Sequence, residues 1–180
     1  MNVEISRSSK TVCKDGNPIA IVTMDTPLFT DGRAAKRLSC YYNKAEAVIL
    51  KFLENLPGPL SKPIEIRLTV TQNVNDILSL YRDISIGSNT VRIADTWKNG
   101  YPISFKDFGK KKKDIIKRCT DEAEILERSG YIPLFHDYRK LIRKKYRPEC
   151  FYIQDGKIIF FYEAGAIAGK SQGIMKFSIS

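Results

Sequence analysis

Phe151-Tyr-Ile-Gln-Asp-Gly-Lys-Ile-Ile-Phe-Phe-Tyr162 is the stretch that decides how this chain folds. Two apolar runs flank Asp155-Gly156, a dipeptide suited to the left-handed backbone of a tight hairpin turn. A small-residue loop follows, Glu163-Ala-Gly-Ala-Ile-Ala-Gly-Lys-Ser-Gln-Gly173, and then a last strand-like run, Ile174-Met-Lys-Phe-Ser-Ile179. The C-terminus therefore reads as an antiparallel hairpin plus a final strand.

Upstream of this hairpin the apolar period lengthens to that of helices. Residues 111–128 place Ile115, Cys119, Ala123 and Leu126 on one stripe, with Gly130 as the C-terminal stop. A second helix is predicted over 133–146, starting at Pro133 and facing Leu134, Phe135, Tyr138, Leu141, Ile142 and Tyr146 inward. Before the helices come strands at 77–86 and 90–97, joined near Gly87-Ser88-Asn89. A turn at Ser88-Asn89 sets Ile86 opposite Val91, Ile84 opposite Ile93, Leu80 opposite Trp97 and Arg82 opposite Asp95. Asn99-Gly100 is a further turn, with a short strand over 101–105.

Nearer the N-terminus, Ile64-Glu-Ile-Arg-Leu-Thr-Val-Thr71 alternates as a half-buried strand does. A long helix is predicted over 32–56, capped by Asp31 and stopped at Pro57-Gly58-Pro59, with Leu38, Tyr41, Tyr42, Ala45, Ile49, Phe52, Leu53 and Leu56 inward. Asp15-Gly16-Asn17-Pro18 turns between two strands within 10–24, and 25–30 reads as irregular. The order predicts an α+β fold, with helices packed on a mainly antiparallel sheet. At 180 residues and 43% hydrophobic content, the chain reads as a single domain, 1–180, with its own core.

The net charge is +10. Residues 110–147 hold thirteen basic and six acidic side chains, so most of the excess is regional. That favours an anionic partner surface or a well-solvated helix face. The first ten residues contain no apolar signal core, and no apolar run is long enough to span a bilayer, so a cytoplasmic protein is expected as written and an extracytoplasmic one if an N-terminal signal has been removed. Cys13, Cys40, Cys119 and Cys150 form no C-x-x-C pair and read as reduced thiols.

Motifs for chemistry are sparse. His136 and Asp137 are adjacent, and neighbours on a helix diverge, so this pair does not form an oriented dyad. There is no G-x-S-x-G elbow and no G-K-[ST] phosphate loop. The glycines of 165–173 lie between strands, where a close-packed backbone turn is the better reading. No catalytic, metal-binding or cofactor-binding residue is assigned.

Three segments together resemble a bacterial family: Ile77-Leu-Ser-Leu-Tyr-Arg-Asp83, Asn89-Thr-Val-Arg-Ile-Ala-Asp-Thr-Trp97 and Phe151–Ile179. The set is similar to the RsiV-like domain, found in an anti-sigma-factor sensor and beside peptidoglycan deacetylases. The resemblance covers about 40–180, leaving 1–39 as N-terminal strands. Ile167, Ala168 and Gly173 match the family's tail motif, and Phe177 and Ile179 its closing strand; Ala166, Gly169 and Lys170 stand where that motif has Glu, Pro and Tyr.

The resemblance implies a non-enzymatic binding or sensing module whose partner is a protein. The candidate partner surface is Ser88, Asn89, Gly165, Ala166, Gly169, Lys170 and Gly173. An alternative is a polyanion, including nucleic acid, held by Lys110, Lys111, Lys112, Lys113, Arg139, Lys140, Arg143, Lys144 and Lys145. A cell-wall hydrolase is the remaining alternative, for which the sequence offers no catalytic constellation.

Overall fold

The computed structural model describes residues 2–179. In chain order the elements are β1 (Val3–Lys14), β2 (Asn17–Phe29), α1 (Ala35–Glu54), β3 (Ile64–Val74), β4 (Ile77–Ile86), β5 (Asn89–Lys98), β6 (Tyr101–Pro102), α2 (Lys112–Arg128), α3 (Tyr138–Lys144), β7 (Phe151–Gln154), β8 (Lys157–Tyr162) and β9 (Met175–Ile179). The first six strands pair in chain order, and the last three form their own sheet. The pairing is mainly antiparallel. The exception is β2 beside β3, where Val22, Thr23 and Met24 run parallel to Ile64, Glu65 and Ile66, as the crossover through α1 requires. The fold is α+β, closed by a C-terminal hairpin and final strand as the sequence predicts. Among the described residues no helix is long and apolar enough to cross a membrane.

The hairpins follow from their turn residues. Asp15-Gly16, Asn75-Asp76, Asn99-Gly100 and Asp155-Gly156 all have both residues left-handed, with φ between 51° and 79°. Two positive φ values make the turn whose twist matches paired strands. Asn75-Asp76 lacks glycine, but Asn and Asp tolerate this region better than other side chains. Between β4 and β5 the turn falls on Gly87-Ser88, one residue before the expected Ser88-Asn89, because Gly87 takes the left-handed position at φ 61°. The Ser85 and Thr90 hydroxyls then meet across the hairpin at 2.9 Å.

Packing divides the chain into two compact units. The first holds the residues up to Thr69 together with Arg82–Thr90, and the second Val70–Tyr81 with everything from Val91 on. In the first unit, β1 and β2 form a long hairpin that includes residues 25–29, expected to be irregular. Asp25, Thr26, Pro27, Leu28 and Phe29 find ladder partners in Arg7, Ser6, Ile5, Glu4 and Val3. Helix α1 starts three residues later than expected and without a side-chain cap; Asp31 instead accepts a hydrogen bond from Asn2 at 2.8 Å. Leu38, Tyr42 and Leu53 are its buried residues, whereas Tyr41 and Phe52, expected inward, are exposed.

In the second unit, α2 and the β7–β8–β9 sheet enclose an aromatic core that includes Phe105, Phe151, Tyr152, Phe160, Phe161, Tyr162 and Phe177. Ser79 is fully buried within it. Its hydroxyl pairs with Thr96 at 2.9 Å and accepts the Ile153 amide at 2.8 Å, while Thr71 donates to the Ile153 carbonyl at 2.6 Å. These bonds satisfy polar groups that would be costly if buried alone.

Three expectations fail in this unit for local reasons. Val91 and Ile93 point outward, and Arg92 takes the inner face, its guanidinium 3.7 Å from the Tyr81 ring centroid and 5.9 Å from those of Tyr152 and Phe161. Aromatic faces attract a cation strongly once it is desolvated. The strand over 101–105 shortens to two residues, because Ser104 and Asp107 form a reciprocal cap that starts a 3-10 turn at Phe105. The helix expected from Pro133 begins only at Tyr138. Leu134 bridges to Ala168 and the Phe135 amide donates to the Ile167 carbonyl at 3.0 Å, so this backbone is already committed. Phe135 is consequently 39% exposed rather than inward.

Candidate functional site

A groove of about 410 Å³ opens in the second unit where the end of α3 faces the end of β8. Lys144, Lys145 and Arg147 stand on one wall, and Gly165 and Ala166 on the other. Cys150, Phe161, Tyr162 and Glu163 also line it.

Each wall has an identifiable support. Tyr162 ends β8, whose last three residues are all buried, and its hydroxyl donates to the Ile142 carbonyl at 3.0 Å. Burial, with the Cys119 thiol beside it, holds the phenol well above its ordinary pKa, so Tyr162 is a neutral donor. Glu163 is fixed from behind by the Arg92 amide, which donates to its two carboxylate oxygens at 3.3 and 3.2 Å. Arg147 approaches Glu163 at 3.5 Å and donates to the Cys150 sulfur at 3.3 and 3.2 Å. Burial still raises the Cys150 thiol pKa, against the opposing pull of Arg147. Cys150 is thus a packed neutral thiol rather than an activated nucleophile.

The loop wall depends on glycine. Gly165 sits at φ 81°, and a β-carbon there would lie 2.8 Å from the Lys170 side chain. Gly173 combines φ 69° with ψ −156°, a region open essentially to glycine alone. Together these let the chain fold the Lys170 stem over Gly165 and return to β9. The close packing that the glycine spacing predicts is met at Gly165, whereas a β-carbon at Gly173 would meet open space.

The groove unites residues that the sequence reading places in separate classes. Gly165 and Ala166 come from the candidate partner surface, and Lys144 and Lys145 from the candidate polyanion contacts. Ser88 and Asn89 are exposed at the β4–β5 hairpin tip and belong to the first unit. Lys111, Lys112 and Lys113 are exposed around the start of α2, Lys110 is partly buried, and the Lys112 ammonium lies 5.2 Å from the Tyr146 ring centroid. Lys140 and Arg143 are exposed on α3. Arg139 pairs with Glu124 at 3.0 Å. Lys117 and Arg118 likewise pair with Asp121 and Glu122 on their own helix, so much of this region's charge is internally answered.

Arg147, Cys150, Tyr162 and Glu163 were not singled out by sequence reasoning. The one local signal is a polar-tipped aromatic beside a carboxylate at the end of a strand, Tyr162-Glu163; their joining to Arg147 depends on the return of the chain. His136 is exposed in the turn before α3. Among the described residues no three His, Cys, Asp or Glu side chains gather as a metal site. Chemically, the groove offers cations at its mouth, an apolar floor and fixed hydrogen-bonding groups. Its three cations stand against the single carboxylate of Glu163, so the charge of the lining is net positive.

No family model matches the sequence, and no curated protein matches it. Among solved structures, a DUF3298 family protein from Pseudomonas aeruginosa PAO1 aligns with 99% of this chain and 89% of its own, at 16% identity and a TM-score of 0.63. A member of the same family from Bacteroides fragilis NCTC 9343 aligns with 99% of this chain and 89% of its own, at 13% identity and a TM-score of 0.59. At these identities the likeness is one of fold.

Proposed function

We propose that this chain is a non-enzymatic binding module of the RsiV-like kind, and that its partner is a protein presenting an acidic segment to the groove between α3 and β8. The observation carrying this reading is the convergence of Lys144, Lys145 and Arg147 with the Gly165–Ala166 wall over a buried aromatic floor. The fold likeness to DUF3298 proteins supports the scaffold, and the tail resemblance supports protein recognition. Cations at the mouth steer an acidic segment and set its register, while the floor supplies apolar contact.

The test uses the full chain, immobilised, with Lys144→Glu/Lys145→Glu and Ala166→Trp as groove variants. A partner retained by the parent and weakened at least about tenfold by either variant is expected, since each alters charge or shape at the contact. A partner held equally by all three sinks the reading, as does turnover of peptidoglycan fragments by the purified parent.

The exposure of Lys111, Lys112 and Lys113 favours a second reading, a polyanion along the start of α2. Its mark is oligonucleotide binding that falls steeply with salt and is lost in Lys111→Glu/Lys112→Glu/Lys113→Glu.

A further inference from the structure

The outward face of α1 has a composition that its place in the first unit does not explain. Helical spacing puts Arg37, Lys44 and Lys51 in one solvent-facing line, with Tyr41, Val48 and Phe52 along it, and Arg33 is exposed in the turn just before the helix. Val48 and Phe52 are each 68% exposed, among the most exposed large apolar side chains described. Arg33, Lys36, Arg37, Tyr41 and Lys44 border a shallow depression of about 580 Å³ in the N-terminal half of the helix. The only acidic residue between Arg33 and Leu53 is Glu46, and it is turned to the sheet side, where Lys10 pairs with it and Thr26 donates to it at 3.1 Å.

We infer that this face docks on an anionic phospholipid bilayer. Charge complementarity decides the occupant. The stripe joins cations to apolar side chains along a single helix, and the one exposed carboxylate of that helix, Glu54, stands at its last residue. A lipid interface offers phosphate and carboxylate headgroups directly above an apolar layer, so one flat approach satisfies both kinds of group. The cationic depression receives headgroups, and Val48 and Phe52 enter the acyl boundary one to three turns further along. Arginine and lysine stems extend to the headgroup level while their charges stay hydrated. This site is separate from the groove of the second unit and does not depend on it.

The experiment is flotation of the purified full chain with vesicles of phosphatidylcholine alone or with about 30% phosphatidylserine. Binding to the anionic vesicles only is expected, falling as salt rises from about 0.05 M to about 0.5 M because the Debye length shrinks below the headgroup spacing. Arg33→Glu/Lys36→Glu/Arg37→Glu/Lys44→Glu lowers partitioning by roughly a hundredfold or more, at about fivefold for each cation removed. Val48→Ser/Phe52→Ser, exposed positions whose change leaves the fold intact by circular dichroism, lowers it about tenfold at constant charge. Lys111→Glu/Lys112→Glu/Lys113→Glu leaves it unchanged. Equal binding to neutral vesicles, no binding at low salt, or unchanged binding by the α1 variants overturns the inference. So does binding of heparin or an oligonucleotide without vesicle binding, which assigns the face to a soluble polyanion.

Discussion

The two units are built on different cores. The central cluster of the first is aliphatic: Val12, Ile19, Ala20, Val22, Met24, Leu53, Ile64 and Ile66. The second is dominated by rings, with Tyr146 stacked on Phe160 at 5.3 Å and Phe105 against Phe151 at 4.6 Å. Aliphatic side chains fill space without directional demands. Rings bury more area each, and tyrosines also bring hydroxyls that need partners. In the second unit those partners are found, Glu127 for Tyr138 at 2.9 Å and the Ile142 carbonyl for Tyr162 at 3.0 Å. The same requirement fixes α3 against the sheet and shapes the groove beside it. An aromatic core thus specifies its surroundings more tightly than an aliphatic one.

The contrast is open to measurement. The largest effect is expected at Phe160, which is fully buried against the rings of Phe105, Tyr146 and Tyr162. Phe160→Ala is expected to cost about 3–5 kcal/mol in urea unfolding, against about 2 kcal/mol for Val22→Ala at an equally buried site of the first unit. Equal losses would remove the distinction between the cores.

A smaller effect separates the units by pH. Burial, with Glu122 adding to it, pushes the Cys119 thiol up to about 12 from 9.0. The folded state therefore keeps a neutral thiol that the unfolded chain ionises. The contribution is fully present below pH 9 and is lost as pH rises toward 12. At pH 10.5 it amounts to about 2 kcal/mol. Cys119→Ala should flatten the alkaline fall in stability between these limits, whatever its effect at pH 7; a slope equal to that of the parent refutes the assignment. Cys13 and Cys40, exposed in the first unit, should react with a thiol reagent at pH 8 while Cys119 stays protected.

The smallest effect compares glycines. Gly173→Ala is expected to cost about 1–3 kcal/mol, because φ 69° with ψ −156° excludes a β-carbon. Gly16→Ala in the β1–β2 turn meets open space at φ 79° and should cost about 1 kcal/mol. Thermal unfolding resolves the two, and a costlier change at Gly16 would show that the tail loop is not the more constrained turn.

Much of the fold was legible because the relevant signals are local. Asp155-Gly156 and Asn99-Gly100 announce their turns, and Ile64, Ile66 and Leu68 announce a strand by alternation. Errors arose where distant backbone decided the outcome. Residues 25–29 look irregular until Val3–Arg7 supply their ladder. Pro133 looks like a helix start until Ile167 and Ala168 claim the following residues. Nothing near Arg92 in the sequence marks it as buried; Tyr81, Tyr152 and Phe161 surround it only in the folded chain. Of the candidate groove, Lys144, Lys145, Gly165 and Ala166 stood out in the sequence, but as members of different surfaces.

The sequence by itself determined the α+β class, the closing hairpin and strand, the sharp turns and the basic bias of 110–147, since each depends on residues within a few positions of one another. Only the tertiary structure decided which strands hold polar groups inside, where α3 begins, and that the end of a basic helix meets a glycine-bound loop across a groove. Those outcomes rest on hydrogen bonds and ring contacts between residues up to 82 positions apart, as from Thr71 to Ile153, for which linear spacing carries no signal.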